Sequence, residues 1–265
     1  MAKCKLNSRA GYAGSRKMGN EKASRIQTSI LNAVEKRALV WLAHRQPRWV
    51  TSDMLTYLGL LGAFICGLGF ALSSININFL WLSSVGLVIN WYGDSMDGTL
   101  ARVRGTQRPK YGFFIDHSID AITITMMCVG AGLSPLLRLD VALCVLAAYL
   151  ILSVYTYVCT ICTNQMRLTY GKLGPTEFRL IAIITNTLLI YTPWREVKYG
   201  IGGIEVGVLD LIASVVVVIL MALWLSQWLI DRKQLALLDP LKEYNPQERR
   251  GEQMSSQERR RVRRA

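Results

Sequence analysis

Charge is scarce in this chain: charged residues make up 18% of its 265 positions, against 51% hydrophobic ones. With a mean hydropathy of +0.26, that balance excludes a soluble domain of this length and suits several membrane spans. Cysteine is equally uninformative as chemistry. Of six cysteines, Cys66, Cys128, Cys144, Cys159 and Cys162 fall inside apolar stretches and only Cys4 does not. Cys159-x-x-Cys162 has the spacing of a metal or redox pair but lacks a second pair and a nearby histidine, so these cysteines are read as small buried apolar residues. The first 25 residues contain no apolar segment, and no cleavable signal peptide is expected.

Long apolar runs dominate what remains. Stretches able to cross a bilayer cover residues 54–73, 78–100, 113–134, 139–162, 179–194 and 206–230. The expected fold is an all-α integral membrane protein with six transmembrane helices. The net charge of +13 sits at the ends, because residues 1–50 carry 11 Lys/Arg against 2 acids and residues 231–265 carry 10 against 6. Basic ends flanking spans place both termini in the cytoplasm, which requires an even number of crossings. The loops alternate accordingly. Arg102, Arg104, Arg108 and Lys110 follow the second run and Arg167 and Lys172 the fourth, whereas the opposite connections are uncharged or balanced.

Four divisions follow: a basic flexible N-terminus (1–23), a juxtamembrane amphipathic helix (24–46), a six-helix transmembrane domain (47–232) and a basic cytoplasmic tail (233–265). In the second, Ile26, Ile30, Ala33, Val34, Ala38, Trp41 and Leu42 recur at helical spacing, which predicts an interfacial helix with Trp41 and Trp49 at headgroup depth. Packing against the cytoplasmic ends of the spans is compatible with that placement. The terminal run Glu258 to Ala265 is basic without interleaved aromatics, so anionic lipid headgroups rather than nucleic acid are its expected partner.

Against this background four acids stand out. Asp94 and Asp97 are spaced i, i+3 and Asp116 and Asp120 i, i+4, so each pair shares one helix face. The short connection predicts that the two helices are antiparallel neighbours with both pairs at one depth near the cytoplasmic surface. Carboxylates gathered there repel unless cations bridge them, and all-oxygen ligation points to two Mg2+ or Mn2+ ions. A two-metal carboxylate site suits displacement at phosphorus. Gly98, Ala101 and Gly112 then leave room for a nucleotide. The plainer alternative is a loop salt-bridge network with Arg102, Arg104 and Arg108. His117, one position beyond Asp116, is expected to point away from the carboxylate face and to pack.

The run Asp94-Ser-Met-Asp97-Gly98-Thr-Leu-Ala101-Arg102, nine residues, Gly112-Phe-Phe-Ile-Asp116-His-Ser-Ile-Asp120 resembles the signature of the CDP-alcohol phosphotransferases. The resemblance covers roughly residues 25–232. It implies that Asp94, Asp97 and Asp116 bind the metals, that Asp120 completes the site and acts as general base, that Gly98, Ala101 and Gly112 line the cytidine pocket, and that Arg102 helps hold the helix end or the donor. It also implies a homodimer. Where family members often carry Pro-Asn before the first span, this chain has Ser52-Asp53, and Asp53 is expected to cap that helix. In the segment Gly171 to Arg179, the resemblance implies Lys172 and Arg179 as cations for a polar or phosphorylated alcohol acceptor; the alternative is a Pro-Thr-Glu helix start with ordinary cytoplasmic charge.

The expected activity is transfer of a phosphatidyl group from a CDP-activated donor, CDP-diacylglycerol, to an acceptor hydroxyl with release of CMP. The converse arrangement, a small CDP-linked alcohol donating to a lipid hydroxyl, uses the same site. A cation transporter is the alternative of a different class, but it needs acids spread across the bilayer, and Asp210 is the only other one clearly inside a run. The topology predicts that single cysteines at either terminus, at Arg104 or at Lys172 are labelled by an impermeant reagent only from the cytoplasm, and cysteines at Ser74 or Lys198 only from the other side. Labelling of the two termini from opposite faces would contradict an even number of spans.

Overall fold

The computed structural model describes residues 24–26, 32–163, 165–167 and 174–240. The basic N-terminus, Lys172 and the tail beyond residue 240 lie outside them. Among the described residues there are seven α-helices: α1 (Asn32–Arg45), α2 (Ser52–Leu72), α3 (Leu80–Val103), α4 (Pro109–Gly132), α5 (Leu139–Thr163), α6 (Pro175–Tyr191) and α7 (Val208–Leu238). Short strands β1 (Ser24–Ile26) and β2 (Gln165–Arg167) pair in parallel. Strands β3 (Lys198–Ile201) and β4 (Ile204–Gly207) form a hairpin, turned by Gly202 and Gly203 at φ 57° and 81°, the positive values that a two-residue turn demands.

Four helices, α2, α4, α5 and α7, are long and apolar enough to cross a membrane. The six-span expectation is met to that extent. The other two candidates differ for a physical reason: α3 carries Asp94, Asp97 and Arg102 in its second half, and α6 has only 17 residues, with Glu177 and Arg179 in its first turns.

Helix α1 begins at Asn32 rather than at residue 24. Its buried side is Leu39 and Ala43, which join Val50, Leu55, Met96 and Leu100 in one apolar cluster. Val34 and Trp41, expected on the apolar face, are exposed. The helix therefore packs on the bundle through Leu39 and Ala43, with Leu42 of the expected stripe against the same cluster, and leaves Val34 and Trp41 on its outer side.

The closest packing joins α2 to α3. Gly59, Gly62, Cys66 and Gly69 of α2 recur at 3-4-3 spacing and meet Gly93, Asn90, Gly86 and Ser83 of α3 in antiparallel order. A Cβ on Gly86 would stand 2.7 Å from the Cα of Cys66 and from the carbonyl oxygen of Gly62, closer than atoms pack. In lipid, where apolar side chains gain little by meeting one another, such backbone contact is what holds helices together. Gly67 and Gly130 bring α4 onto α2 in the same way. As a result α4 packs on α2 and α5, while α3 packs on α2, α1 and α6. The expectation that α3 and α4 are side-by-side neighbours is thus corrected; α2 is the helix they share.

Cys66 and Cys128 are buried as expected, but Cys144 and Cys162 lie on exposed faces, because α5 turns much of its apolar surface outward. Contacts divide the chain at Leu223. In the first unit, Val215, Val218 and Ile219 of α7 are exposed, and in the second Trp224 stacks on Trp228, whose ring Arg232 also covers. Replacing Gly86 with valine is expected to cost about 1–3 kcal/mol or more through overpacking, lowering the unfolding midpoint in detergent, whereas Gly200→Ala, where an added Cβ meets nothing within 4 Å, should leave it unchanged.

Candidate functional site

The small-residue contact between α2 and α3 ends, at its Ser52/Asp97 end, on polar groups. One turn beyond Gly59, the Thr56 hydroxyl donates to Asp97 Oδ2 at 2.6 Å. Ser52 Oγ donates to the Asp97 carbonyl at 2.8 Å, and the Gly98 amide donates to Asp97 Oδ1. Asp97 is thereby buried, 8% exposed, yet supplied with donors to both carboxylate oxygens, the condition under which a buried carboxylate is tolerated.

Asp94 is held differently. Arg179 Nη2 of α6 pairs with its Oδ2 at 2.6 Å, while Arg179 Nε donates to Asn90 Oδ1 at 3.0 Å. The other end of that amide, Asn90 Nδ2, donates to the Gly59 carbonyl at 3.0 Å. A chain of bonds therefore runs from α2 through α3 to α6. Arg179 stands against an aspartate of the cluster, a position not anticipated in reading it as an acceptor cation.

On α4, ligand atoms of Asp116, His117 and Asp120 lie within 4.8 Å of one another. Asp120 is within electrostatic reach of Asp94, Asp97, Asp116 and Arg179, so the two pairs converge although their helices are not adjacent. Among the described residues no hydrogen-bond donor reaches the Asp120 carboxylate. His117 does not turn away from the acids. Its ring lies 4.1 Å from Phe113 and 4.8 Å from Tyr157 between centroids, and this packing holds Nδ1 3.4 Å from Asp116 Oδ2. Neither ring nitrogen has a hydrogen-bond partner among the described residues.

Two of the three arginines of the salt-bridge alternative, Arg104 and Arg108, are engaged elsewhere than with the four aspartates. Arg104 donates to the carbonyls of Gln46, Pro47 and Val50, and Arg108 grips Asp53 at 2.6 Å and 2.7 Å. Asp53 accordingly does not cap α2. Thr51 takes that place, accepting from the Met54 amide at 3.2 Å. Arg102 Nη2 donates to Thr99 Oγ1 at 2.8 Å. A Cβ on Gly112 would meet nothing within 4 Å and one on Gly98 only the Arg102 side chain, so neither glycine is required by packing, and Ala101 between them is half-buried. Pro175 and Glu177 do start a helix, the Glu177 carboxylate accepting from the Gly174 amide at 2.9 Å.

Hard carboxylate oxygens in this number suit a divalent cation, and the unpartnered His117 nitrogens at the edge of the group are consistent with a polar occupant. Three participants were missed in the sequence. Asn90 sits one turn before Asp94 on the same face, a legible signal. Thr56 and the stacking that turns His117 depend on neighbouring helices and were not legible.

Among known families, the chain matches the one described as CDP-alcohol phosphatidyltransferase over residues 49–230. No curated protein matches it.

Thr56→Val keeps the side-chain shape but leaves Asp97 Oδ2 without its buried donor. A hydrogen bond to a charged group is worth about 1.5–3 kcal/mol, so the variant should unfold at lower denaturant in detergent, and Thr56→Ser should recover most of the difference.

Proposed function

The chain belongs to the CDP-alcohol phosphatidyltransferase family, and on that footing we propose that it transfers a phosphatidyl group from CDP-diacylglycerol to an alcohol acceptor at the cytoplasmic membrane face. Membership makes it a transferase acting on a CDP-alcohol; its four apolar helices mark a membrane protein. The reading also takes α3 and α6 as the fifth and sixth spans, both termini as cytoplasmic, and the protein as a homodimer.

The observation that carries the proposal is the convergence of Asp94, Asp97, Asp116 and Asp120 beside two glycines whose free space no packing explains. Two divalent ions, Mg2+ or Mn2+, held by Asp94, Asp97, Asp116 and Asp120, would supply the positive charge that offsets the diphosphate. Gly98, Ala101 and Gly112 give the cytidine a surface without side chains in the way, and Arg102 steadies the donor end. The acceptor oxygen attacks the β-phosphorus as the bond from that phosphorus to the bridging oxygen breaks. CMP leaves with the electron pair, and the hydroxyl proton passes to the Asp120 carboxylate, whose lone pairs no described donor occupies.

Lys172 and Arg179 are proposed to meet the acceptor. For Arg179 the role requires that its guanidinium serve Asp94 and the acceptor together, which its several N–H donors permit. Asp210, the one acid that favoured an ion path, is buried in the first turn of α7 with both oxygens bonded at 2.8 Å to the amides of Arg138 and Gly207. It caps that helix, which leaves the transporter reading without a second site.

Asp120→Asn is expected to abolish CMP release while retaining binding of CDP-diacylglycerol, since a base is lost and three metal ligands stay. Asp94→Asn and Asp97→Asn should weaken donor binding and raise the Mg2+ requirement. Purified protein with CDP-diacylglycerol, Mg2+ and a panel of acceptors, read by CMP release and lipid mass, tests the activity; equal loss of donor affinity in all three variants would erase the separate role of Asp120.

A further inference from the structure

Helix α1 carries one acid, Glu35, among basic and apolar residues. Lys36 and Arg37 beside it are exposed, whereas Glu35 is half-buried and directed at the bundle. A single carboxylate oxygen, Oε1, accepts three hydrogen bonds: from Trp91 Nε1 at 2.8 Å, from Ser95 Oγ at 3.3 Å and from Thr176 Oγ1 at 2.8 Å. Trp91 and Ser95 belong to α3, Thr176 to α6. Bonds that a charged acceptor makes are the strong ones, and three on one atom fix its donors relative to one another.

The donors flank the site residues. Ser95 follows Asp94, Trp91 follows Asn90, and Thr176 lies three positions before Arg179 on α6. The direct link between the same two helices is the Arg179 pairing with Asp94 and Asn90. The two helices are therefore clamped twice at adjacent levels, once by the arginine inside the site and once through a carboxylate donated by a third helix. We propose that Glu35 is a positioning residue for the transfer reaction, holding α3 and α6 at the spacing that seats Arg179 between Asp94 and Asn90. This rests on reading the aspartate cluster as the transfer site. Helix α1 is thereby part of the site's support, although it contributes no group to the chemistry.

The test compares Glu35→Ala with Glu35→Gln in the full-length protein. The glutamine retains an oxygen at the same reach and should stay within a few-fold of wild type. The alanine should lower kcat/KM for the acceptor about ten- to hundredfold, the scale of a misplaced group near the reacting atoms. In an Arg179→Ala background the further loss from Glu35→Ala should fall below about twofold, because residues acting through one contact are not additive. A merely structural role would lower the unfolding midpoint and leave the KM and kcat of the folded fraction alone. Spin labels at the exposed positions Val88 of α3 and Leu180 of α6 give a readout that needs no turnover: Glu35→Ala should broaden their distance distribution and Glu35→Gln should not. Should the alanine variant fail to fold, Thr176→Val, which cuts only the α6 arm, takes its place in every comparison. Unchanged kinetics with an unchanged distance distribution would overturn the proposal, as would losses that multiply fully with Arg179→Ala. Absence of CMP release by the wild-type protein would instead count against the proposed function, and the spin-label comparison would still decide whether Glu35 sets the helix spacing.

Discussion

The arrangement depends on a contact between α2 and α3 that has no room for a methyl group. Gly59, Gly62, Gly86 and Gly93 let the two backbones touch, and in a lipid environment that close approach replaces the hydrophobic drive of a soluble core. Its register has a chemical result. It sets Thr56 opposite Asp97 and the Gly59 carbonyl opposite Asn90, so the donor to Asp97 and the acceptor that holds Asn90 are both delivered by the packing of α2 on α3. Asp97 is thus held by neutral donors, Asp94 by a bonded cation, and Asp120 by no hydrogen bond among the described residues, with Arg179 only within electrostatic reach. Three neighbouring carboxylates receive three environments, and differentiation of that kind allows identical side chains to hold charge in one place and accept a proton in another.

Much of this was legible because membrane sequences are constrained. An acid in an apolar run is costly enough that two pairs in register singled out a candidate site before any helix was placed, and the signature from Asp94 to Asp120 pointed to the family. Apolar length located the four strongest spans. The breakdowns are equally physical. Neighbour relations between helices were inferred from a short connection, but the residues from Arg104 to Arg108 allow α4 to settle on α2, drawn by Gly67 and Gly130. His117 was expected to pack and does, between the rings of Phe113 and Tyr157, but that packing turns it toward Asp116 rather than away.

The start of α2 and the face of α1 show the same limit. Asp53 looked like a cap, yet Arg108 from another loop claims it, leaving Thr51 to take the helix end. On α1 the apolar spacing named Val34, Trp41 and Leu42, and the bundle takes Leu42 together with Leu39 and Ala43 while Val34 and Trp41 stay exposed. Local pattern names candidates for a contact; which candidate is used depends on what the rest of the chain brings alongside.

The glycine contact also partitions where this protein can change over generations. Along α2 and α3 the inward positions admit no larger residue without moving backbone, so drift is confined to the outward sides, where Phe64, Leu68, Trp81, Val85 and Val88 are exposed. Those positions carry no such packing constraint and can vary in size. The outer surface of α2 and α3 can therefore be rewritten by substitution alone, with Asp94 and Asp97 left undisturbed beneath it.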